Sequence, residues 1–465
     1  MDIPILIICF NNHKYVDQMV QQILRLNENA KIMIIDNNST RERTKDYLSK
    51  TGDCMKENVT IINAPGNCGH NVWAMPFIYD KMPKRFIVTD PDIKFNDNLP
   101  SNYLEILVKI SDTYNSERVG FALDISDREK MFPYKFSDFR GEWSHIPTIW
   151  ESQQQYWSHP IKNPEYELYS ANLDTTFLLY TKGYSGGHIR VAGDFTAKHL
   201  PWYVHIEGIS ILERYQMYKS ASRVSSIACF ELQFIKDQNI KILNKRGEII
   251  LVEGGVNDNF WVDVYSGWKE ETFDIFDRFL SKDKQFLDIG AWVGTTAIYA
   301  SRKSEYVVCV EADPISTEKL RINLELNKMG TEVDIELKPI FGEYRKVIFG
   351  PNMFLSKSKL NDSRSHIKRS KTNPDDKVFD SITFDEIIEK YKLDHLSLIK
   401  INIEGGEENI IGDAYKFCKS NKVPLYVSFH YTWWIDKNLD RFDFLSSENK
   451  NLIKSAPFGS ILFEF

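Results

Sequence analysis

Two series of short apolar segments, each separated by polar turns and by apolar residues at helical spacing, constrain what this chain can fold into. In the first series, an apolar helix face running from Val16 to Leu24 follows the first segment. Such alternation predicts repeated β-α-β units and a mostly parallel sheet. The strand-like segments of this series are residues 3–10, 31–35, 59–62 and 85–89.

The second series begins at Gln285, after a Ser-rich and then helix-like stretch near residues 220–239. A strand ends at residue 290, a helix opens at residues 295–300 and another strand covers residues 307–310. The chain is therefore expected to have an α/β fold with two Rossmann-like domains. We place these domains at residues 1–235 and 236–465.

Three stretches do not follow the alternation. Residues 240–251 are predicted to form a hairpin with its turn at residues 245–247. Residues 133–205 are rich in Trp, Tyr, His and Pro, and we expect a loop-rich region that covers a site or a large irregular surface insertion. Residues 362–377 are charged and polar, which predicts a mobile loop.

Composition excludes several classes of protein. The chain has 465 residues, with 58 basic and 65 acidic side chains and a net charge of −7, so a polybasic nucleic-acid or membrane binder is disfavoured. We expect no transmembrane segment, because no apolar run approaches roughly 18 residues, and we expect no signal peptide. The six cysteines are scattered without a CxxC pair. This usage predicts reduced cysteines in a cytoplasmic protein.

Acidic and amide side chains mark the carboxyl ends of the first strands, where ligands bind in parallel sheets. Asp90 and Asp92 follow the fourth segment, and two carboxylates at this spacing can hold Mn²⁺ or Mg²⁺ with positions left for phosphate oxygens. Asp36 ends the second segment and is a candidate for binding a base or ribose. A solvated turn is the alternative for the acidic pair. The remaining candidates for framing a nucleotide are Phe10, Asn11 and Asn67.

Residues 1–220 resemble GT-A-type glycosyltransferases. The resemblance implies a nucleotide-sugar donor, a glycan or glycoconjugate acceptor, and a metal-bound diphosphate at Asp90 and Asp92. It makes His199 a candidate metal ligand, with His188 and His205 as competitors, and Asp174 a candidate acceptor-side base. The alternative for the histidine is a structural role. The alternative for Asp174 is a helix cap or an ion pair. The motifs that carry the resemblance are residues 8–12, 35–39, 67–71, 90–92, 173–177 and 197–203.

The second series contains a nucleoside-binding pattern. Asp288 and Gly290 end a strand, and Gly294 precedes a helix. The spacing differs from the dinucleotide fingerprint, which favours a ligand without a pyrophosphate. Glu311 ends the next strand, where an acid can accept both ribose hydroxyls. An ordinary α/β turn with a solvated acid is the alternative.

Residues 286–296 are typical of S-adenosylmethionine-dependent methyltransferases, and residues 380–388 and 398–407 resemble the FkbM family. This resemblance covers about residues 250–465 and implies S-adenosyl-L-methionine as the cofactor and O-methylation of a hydroxyl. Asn402 stands where the family usually has Asp, and Asn cannot act as a base. Glu404 and His430 remain as acid or base candidates, with ion-paired or core-lining roles as alternatives.

Two hypotheses follow. In the first, the chain is a bifunctional enzyme that transfers a sugar from a nucleotide-sugar donor and O-methylates a glycan hydroxyl. In the second, only the N-terminal half is catalytic, and the C-terminal half is a cofactor-binding or scaffold module in which Asn402 marks lost chemistry. A nucleic-acid methyltransferase is disfavoured by the acidic composition.

Overall fold

A computed structural model describes residues 3–55, 57–135, 148–220, 226–255, 257–328, 331–350, 366–368, 376–455 and 459–465. The chain divides into two compact units. The N-terminal unit contains Met1–Ile209 and Arg214–Phe234, and the C-terminal unit contains Ser210–Glu213 and Ile235–Phe465. Each unit is built around a sheet with its own buried apolar core.

The N-terminal unit begins with the predicted alternation. Its first strands are β1 (Ile5–Cys9), β2 (Ile32–Asp36), β3 (Val59–Asn63) and β4 (Arg85–Thr89). Its later strands are β5 (Ile93–Phe95), β6 (Arg118–Phe121), β7 (Pro160–Ile161), β8 (Leu168–Ser170), β9 (Leu178–Thr181), β10 (Ile189–Val191) and β11 (Ala197–His199). Its helices are α1 (His13–Leu26), α2 (Glu42–Cys54), α3 (Pro76–Tyr79), α4 (Tyr103–Tyr114) and α5 (Ile149–Gln154).

Nine of these strands form one sheet in the order β3-β2-β1-β4-β9-β6-β10-β8-β7. The first four are parallel, as the sequence predicts, and β1 is buried along its whole length, which explains its unbroken apolar run. The expectation of a mostly parallel sheet is wrong for the nine-stranded sheet as a whole, because β9 lies antiparallel between β4 and β6. The sheet is therefore mixed, and its parallel half carries the polar strand ends.

Strands also replace part of the loop-rich region expected at residues 133–205. Strands β7 to β11 and helix α5 all come from this stretch. Their short lengths, from two to four residues, leave too few repeats for a periodic pattern to show in the sequence. Residues 136–147 lie outside the described residues.

The described residues of the C-terminal unit form three sheets. The first strands are β12 (Ile240–Lys245), β13 (Glu248–Glu253), β14 (Gln285–Ile289), β15 (Tyr306–Val310), β16 (Glu332–Glu336) and β17 (Lys346–Gly350). The others are β18 (His366–Lys368), β19 (Lys377–Asp380), β20 (Leu396–Ile401), β21 (Leu425–Phe429) and β22 (Gly459–Phe463). Helices α6 (Ile211–Lys219) and α7 (Ser226–Asp237) belong mostly to the N-terminal unit. The helices of the C-terminal unit are α8 (Glu270–Phe279), α9 (Ala297–Ala300), α10 (Pro314–Leu326), α11 (Phe384–Lys390), α12 (Ile411–Asn421) and α13 (Ser447–Ser455).

The central sheet of this unit has the order β16-β15-β14-β20-β21-β22, parallel except for β22. The predicted hairpin is formed by β12 and β13, with Arg246 and Gly247 at positive φ in its turn. Strand β18 falls within the predicted loop 362–377, and residues 369–375 and 361–365 lie outside the described residues. The α/β class with two Rossmann-like domains is thus the architecture of the chain.

Among the described helices, none combines the length and the apolar character needed to cross a membrane.

Candidate functional sites

The N-terminal unit has a cavity of about 670 Å³ at the carboxyl ends of its parallel strands. Its walls come from the ends of β1, β2, β3 and β4, and the predicted residues Phe10, Asn67, Asp90 and Asp92 line it. Among the residues that the structure describes, no Lys or Arg lines it. The other lining residues are Ile8, Asn12, Asn37, Cys68, Gly69, His70, Asn71 and Pro91.

Asp90 and Asp92 form a partly buried acidic pair beside this cavity. The backbone N–H of Asp90 donates to the carbonyl of Thr175 at 2.7 Å, and the Thr175 hydroxyl donates to the Asp90 carboxylate. Burial and the charge of Asp92 raise the pKa of Asp90 above its usual range. Burial also raises the pKa of Asp92. Ionising both carboxyl groups therefore costs free energy unless a cation binds beside them.

His199 is brought to this pair by the antiparallel pairing of β5 with β11, in which His199 lies opposite Ile93. Its Nε2 lies 3.6 Å from Oδ1 of Asp92. Both Oδ1 of Asp92 and Nδ1 of His199 are buried, and neither has a hydrogen-bond partner within the described part of the chain. The competing histidines lie differently: Nδ1 of His188 accepts from the N–H of Leu173 at 3.2 Å, and His205 is exposed.

A metal ion fits this group of side chains only with further ligands. Within the described ranges, no three or more His, Cys, Asp or Glu side chains are arranged to hold a metal ion by themselves. Mg²⁺ commonly keeps waters and binds through one or two carboxylates together with substrate phosphates. Asp90 and Asp92 therefore fit a cation that is bound together with a diphosphate.

Two other residues that were predicted to bind the nucleotide, Asn11 and Asp36, lie next to the cavity loops but do not line the cavity. Asn11 is fully buried at a φ of 57°, and its Oδ1 accepts from the N–H groups of Thr40 and Arg41 at 2.8 and 2.9 Å. Asn11 therefore holds the loop after β2 and does not line the cavity. Asp36 also does not line it, and its Oδ1 accepts from the N–H of Ser39 at 2.9 Å.

Asn37, which the sequence reasoning passed over, organises the loop after β3. Its Nδ2 donates to Oδ1 of Asn67 at 3.1 Å and to the carbonyl of Gly69 at 3.0 Å. Its Oδ1 accepts from the N–H of Cys68 at 2.8 Å. The run of Asn residues after β2 was the available signal. Asp174 is exposed, lies outside the cavity lining and accepts a hydrogen bond from the Thr176 hydroxyl at 2.5 Å.

The C-terminal unit has a second cavity, of about 380 Å³, at the carboxyl ends of β14, β15 and β20. Five of the predicted residues line it: Gly290, Glu311, Asn402, Glu404 and His430. Aromatic rings form much of its wall, and the Phe260 and Trp292 rings meet edge to face with centroids 5.0 Å apart. Such a cavity offers an apolar wall to a flat ring and carboxylates to its polar substituents. The remaining aromatic wall residues are Trp268 and Phe349.

Asp288 and Gly294 support the turn from outside the cavity lining. Asp288 is fully buried and accepts from Nζ of Lys400 at 2.6 Å and from the Thr296 hydroxyl at 2.7 Å. Gly290 has a φ of 83°, and a Cβ there would collide with the carbonyl of Asn402. The close approach of Asn402, directly after β20, therefore requires glycine at position 290, whereas Gly294 packs against helix side chains.

Glu311 is held rigidly at the cavity. Its Oε2 accepts from the N–H of Trp292 at 2.8 Å, and its Oε1 accepts from the N–H of Asp313 at 2.8 Å. Burial raises the pKa of Glu311 to about 7, against the two backbone hydrogen bonds, which lower it. Each carboxylate oxygen retains a second lone pair for a hydroxyl donor.

Glu404 and His430 lie together in the same cavity, with Oε1 of Glu404 3.4 Å from Nε2 of His430. Glu404 has a φ of 51°, an uncommon conformation that often occurs at functional sites. Oδ1 of Asn402 is buried and has no hydrogen-bond partner among the described residues. The amide therefore leaves an acceptor free at the cavity edge.

Lys269 also lines this cavity, and sequence reasoning missed it. Part of the side chain is exposed, but burial around the ammonium group and the charge of Lys400 lower the pKa of Lys269 to about 8. A single Lys before two Glu residues forms no recognisable motif. Its position directly before α8 is the only feature that marks it.

The parallel sheet, the turn after β14 and the acid after β15 form a Rossmann-like arrangement in the C-terminal unit. Residues 288–450 match the family model described as the methyltransferase FkbM domain. No curated protein sequence matches the chain.

Several solved structures are similar to parts of the chain at low identity. The mannosyltransferase PcManGT from Pyrobaculum calidifontis, in complex with GDP-Man and Mn²⁺, is 10% identical, with a TM-score of 0.29, over 46% of this chain and 61% of that one. GalNAc-T7 with UDP, GalNAc and Mn²⁺ is 12% identical, with a TM-score of 0.29, over 51% and 54%. The chain thus spans less than two thirds of the length of these two proteins. TYW2 from M. jannaschii, in complex with AdoMet, is 18% identical, with a TM-score of 0.17, over 22% of this chain and 44% of that one.

Proposed function

We propose that the C-terminal unit is an S-adenosylmethionine-dependent methyltransferase that acts on a hydroxyl group. The observation that carries the proposal is the match of residues 288–450 to the methyltransferase FkbM domain. The second cavity supports it, because most of its lining residues belong to the matched stretch and it brings Gly290, Glu311, Glu404 and His430 to one place.

The residues of this cavity have different roles in the proposed reaction. Glu311 accepts the hydroxyls of a ribose, and the Phe260 and Trp292 rings cover a flat base. S-Adenosylmethionine, when bound, supplies an electrophilic methyl group. Glu404 and His430 are the two groups that can take the proton of an acceptor hydroxyl. Exclusion of water by the aromatic wall protects the transfer from hydrolysis.

We propose that the N-terminal unit transfers a sugar from a nucleotide-sugar donor with the help of Mn²⁺ or Mg²⁺. Asp90 and Asp92, with His199 beside them, would hold the cation, which would neutralise the charge of the leaving diphosphate. The described lining residues include no Lys or Arg, so in this proposal the cation supplies the positive charge that a bound diphosphate needs. Asn67 and Phe10 would contact the nucleoside, and the acceptor would be a glycan or glycoconjugate.

The methyltransferase proposal is tested by titration calorimetry of S-adenosylmethionine and S-adenosylhomocysteine into the full chain. We expect binding by the native protein and a loss of roughly tenfold or more in affinity for Glu311→Gln, since one charged hydrogen-bond acceptor is worth about 1.5–3 kcal/mol. Asp334→Asn on β16, outside the cavity lining, is the matched control and should bind normally. Absence of binding to the native protein would refute the proposal.

Turnover is tested with radiolabelled S-adenosylmethionine and a panel of 4-nitrophenyl glycosides. We expect label on the glycosides and its loss in Glu311→Gln. If methyl transfer proceeds equally well on unglycosylated alcohols, the expectation that the methyl acceptor is a glycan hydroxyl is wrong.

The glycosyltransferase proposal is tested by titrating UDP and GDP into the full chain with and without Mn²⁺. We expect binding that depends on Mn²⁺ and disappears in Asp92→Asn. Nucleotide binding that is unchanged by Mn²⁺ and by this variant would refute the assignment of Asp90 and Asp92 as cation ligands.

The second candidate function, favoured by Asn402, is a cofactor-binding module without turnover in the C-terminal unit. It predicts S-adenosylmethionine binding without methylation of any glycoside in the panel. Under that reading, Asn402→Asp would restore a carboxylate at the cavity edge and with it measurable methyl transfer. Turnover by the native protein would exclude this candidate.

A further inference from the structure

Lys269 places an ammonium group in the wall of the second cavity. Within the described part of the chain, this group has no salt bridge and no side-chain hydrogen bond. Its Nζ lies 5.3 Å from the centroid of the Trp268 ring, which also lines the cavity. The ammonium group is therefore available to a ligand in the cavity.

The backbone that carries Lys269 is fixed by a second, buried lysine. Lys245 is fully buried, and its Nζ donates to the carbonyls of Tyr265 and Trp268 at 3.1 and 3.0 Å. The Tyr265 hydroxyl donates to the carbonyl of Thr295 at 2.8 Å, which joins this segment to the loop after β14. Lys269 itself has a φ of 45°, which is uncommon for a residue with a side chain. Contacts of the backbone, and no ion pair, thus hold the ammonium group at the cavity wall.

The charged side chains of the cavity restrict where an anionic group can bind. The acids Glu311, Asp313 and Glu404 line the cavity, and the lysines among its described lining residues are Lys269 and Lys338. A carboxylate that enters the cavity is repelled by these acids and needs a cation beside it. A ligand with a carboxylate is therefore expected to place it at one of the two lysines.

The two lysines lie at different places along the central sheet. Lys338 follows β16, the strand at one edge. The charge of Lys269 instead interacts with that of Lys400 on β20 and with that of Glu404 after β20. It also acts on His430, after β21, by opposing protonation of the ring. Lys269 is thus the lysine on the side where the proposed methyl transfer takes place.

The ammonium group of Lys269 is partly shielded from water without a counter-ion. Burial and the charge of Lys400 lower the pKa of Lys269 to about 8, against the charges of Glu404 and Glu407, which raise it. At neutral pH the group is still mostly charged. A carboxylate bound beside it would supply the missing counter-ion.

We propose that Lys269 binds a carboxylate of a ligand beside Glu404 and His430. This inference rests on the proposed methyltransferase function. Two ligands of that reaction can carry the group. One is S-adenosylmethionine, whose carboxylate is joined by a short carbon chain to the sulfur that holds the methyl group. The other is an acceptor sugar with a uronic acid carboxylate. The chemistry is the same in both, an ion pair between an ammonium group and a carboxylate.

The test compares Lys269→Met with Lys422→Met in the full chain. Lys422 is the matched control, because it is exposed, has a φ of 55° and lies outside the cavity lining. Calorimetry gives two comparisons that need no turnover. The first titrates S-adenosylmethionine and decarboxylated S-adenosylmethionine into the protein. The second titrates 4-nitrophenyl glucuronide and 4-nitrophenyl glucoside into protein saturated with S-adenosylhomocysteine.

We expect Lys269→Met to reduce the preference for the carboxylate-bearing ligand by about tenfold or more in one of the two pairs, as for loss of a charged hydrogen bond. A change in the first pair assigns the subsite to the cofactor, and a change in the second pair assigns it to the acceptor. Lys422→Met should keep the native preference in both pairs. Lys269→Arg keeps the charge and should retain most of the preference, which separates loss of charge from loss of structure.

A preference that Lys269→Met leaves unchanged in both pairs would overturn the proposal, even if all affinities fall together, because a uniform loss indicates a lysine that only packs in the wall. Failure of the methyltransferase proposal looks different. It would appear as absence of S-adenosylmethionine and S-adenosylhomocysteine binding to the native protein.

Discussion

The proposed binding of a cation by Asp90 and Asp92 should depend on pH. Their pKa values are raised by burial and, for Asp90, by the neighbouring charge, so protons compete with Mn²⁺ above the usual carboxyl range. We predict that Mn²⁺ affinity, measured by calorimetry in the presence of UDP or GDP, rises by about tenfold or more between about pH 5.5 and about pH 7.5. Asp80→Asn, an exposed change, should keep this dependence, and a pH-independent affinity would contradict the prediction.

The same shifts act on the stability of the metal-free protein. A carboxyl group with a raised pKa stabilises the folded state below its unfolded pKa, and this contribution is lost as the pH rises through the folded value. We predict that the raised pKa values of this pair make the N-terminal unit less stable from about pH 4.5 upward. Asp90→Asn should reduce the change of unfolding free energy with pH. Urea unfolding at several pH values without metal measures it, and an unchanged slope would argue against a buried pair.

Gly290 is the backbone position on which the second cavity depends. Its φ of 83° and the nearby carbonyl of Asn402 leave no room for a side chain, so Gly290→Ala should lower the free energy of unfolding by about 2 kcal/mol or more. Gly412, within α12, has open space at the Cβ position, and Gly412→Ala should stabilise by roughly 0.5–1 kcal/mol. Urea denaturation of both variants tests the contrast, which equal effects would contradict.

At the scale of elements, α11 begins with a complete capping box. The Thr383 hydroxyl accepts from the N–H of Glu386 at 3.2 Å, and the Glu386 carboxylate accepts from the N–H of Thr383 at 2.8 Å. Thr383→Ala should therefore cost about 1 kcal/mol of unfolding free energy. Glu389→Ala, on the exposed side of the same helix, should change it by less than about 0.5 kcal/mol. A loss no larger than this control would show that the cap does not contribute.

Elements also show where sequence patterns reach their limit. Strands β1, β2 and β4 carry continuous apolar runs because they are mostly buried within the sheet, so the sequence predicts them. Strand β9 is equally buried, but its four residues follow aromatic-rich sequence without a preceding helix. Its place between β4 and β6 depends on partners distant in sequence.

At the scale of the whole molecule, each unit has its own sheet and core. We predict that scanning calorimetry resolves two transitions and that S-adenosylmethionine raises only one of them. A ligand at 100 times its dissociation constant should add about 2.7 kcal/mol to the unit that binds it. Mn²⁺ with UDP or GDP should raise the other transition. A single transition that responds to both ligands would contradict this prediction.

The sequence by itself determined the local chemistry of this protein. The Asp90 and Asp92 pair, the turn at Gly290 and the acid Glu311 each follow a strand within a few residues, and strand ends can be read from apolar runs. Their ligand roles stay predictions.

Only the tertiary structure decided which distant groups meet. His199 reaches Asp92 through the pairing of β5 with β11, Lys400 reaches Asp288 across neighbouring strands, and Glu407 reaches His430 from a different strand end. Such contacts join residues 23 to 112 positions apart. No local spacing encodes them, because they arise from strand order and from the burial of charged groups that then require partners.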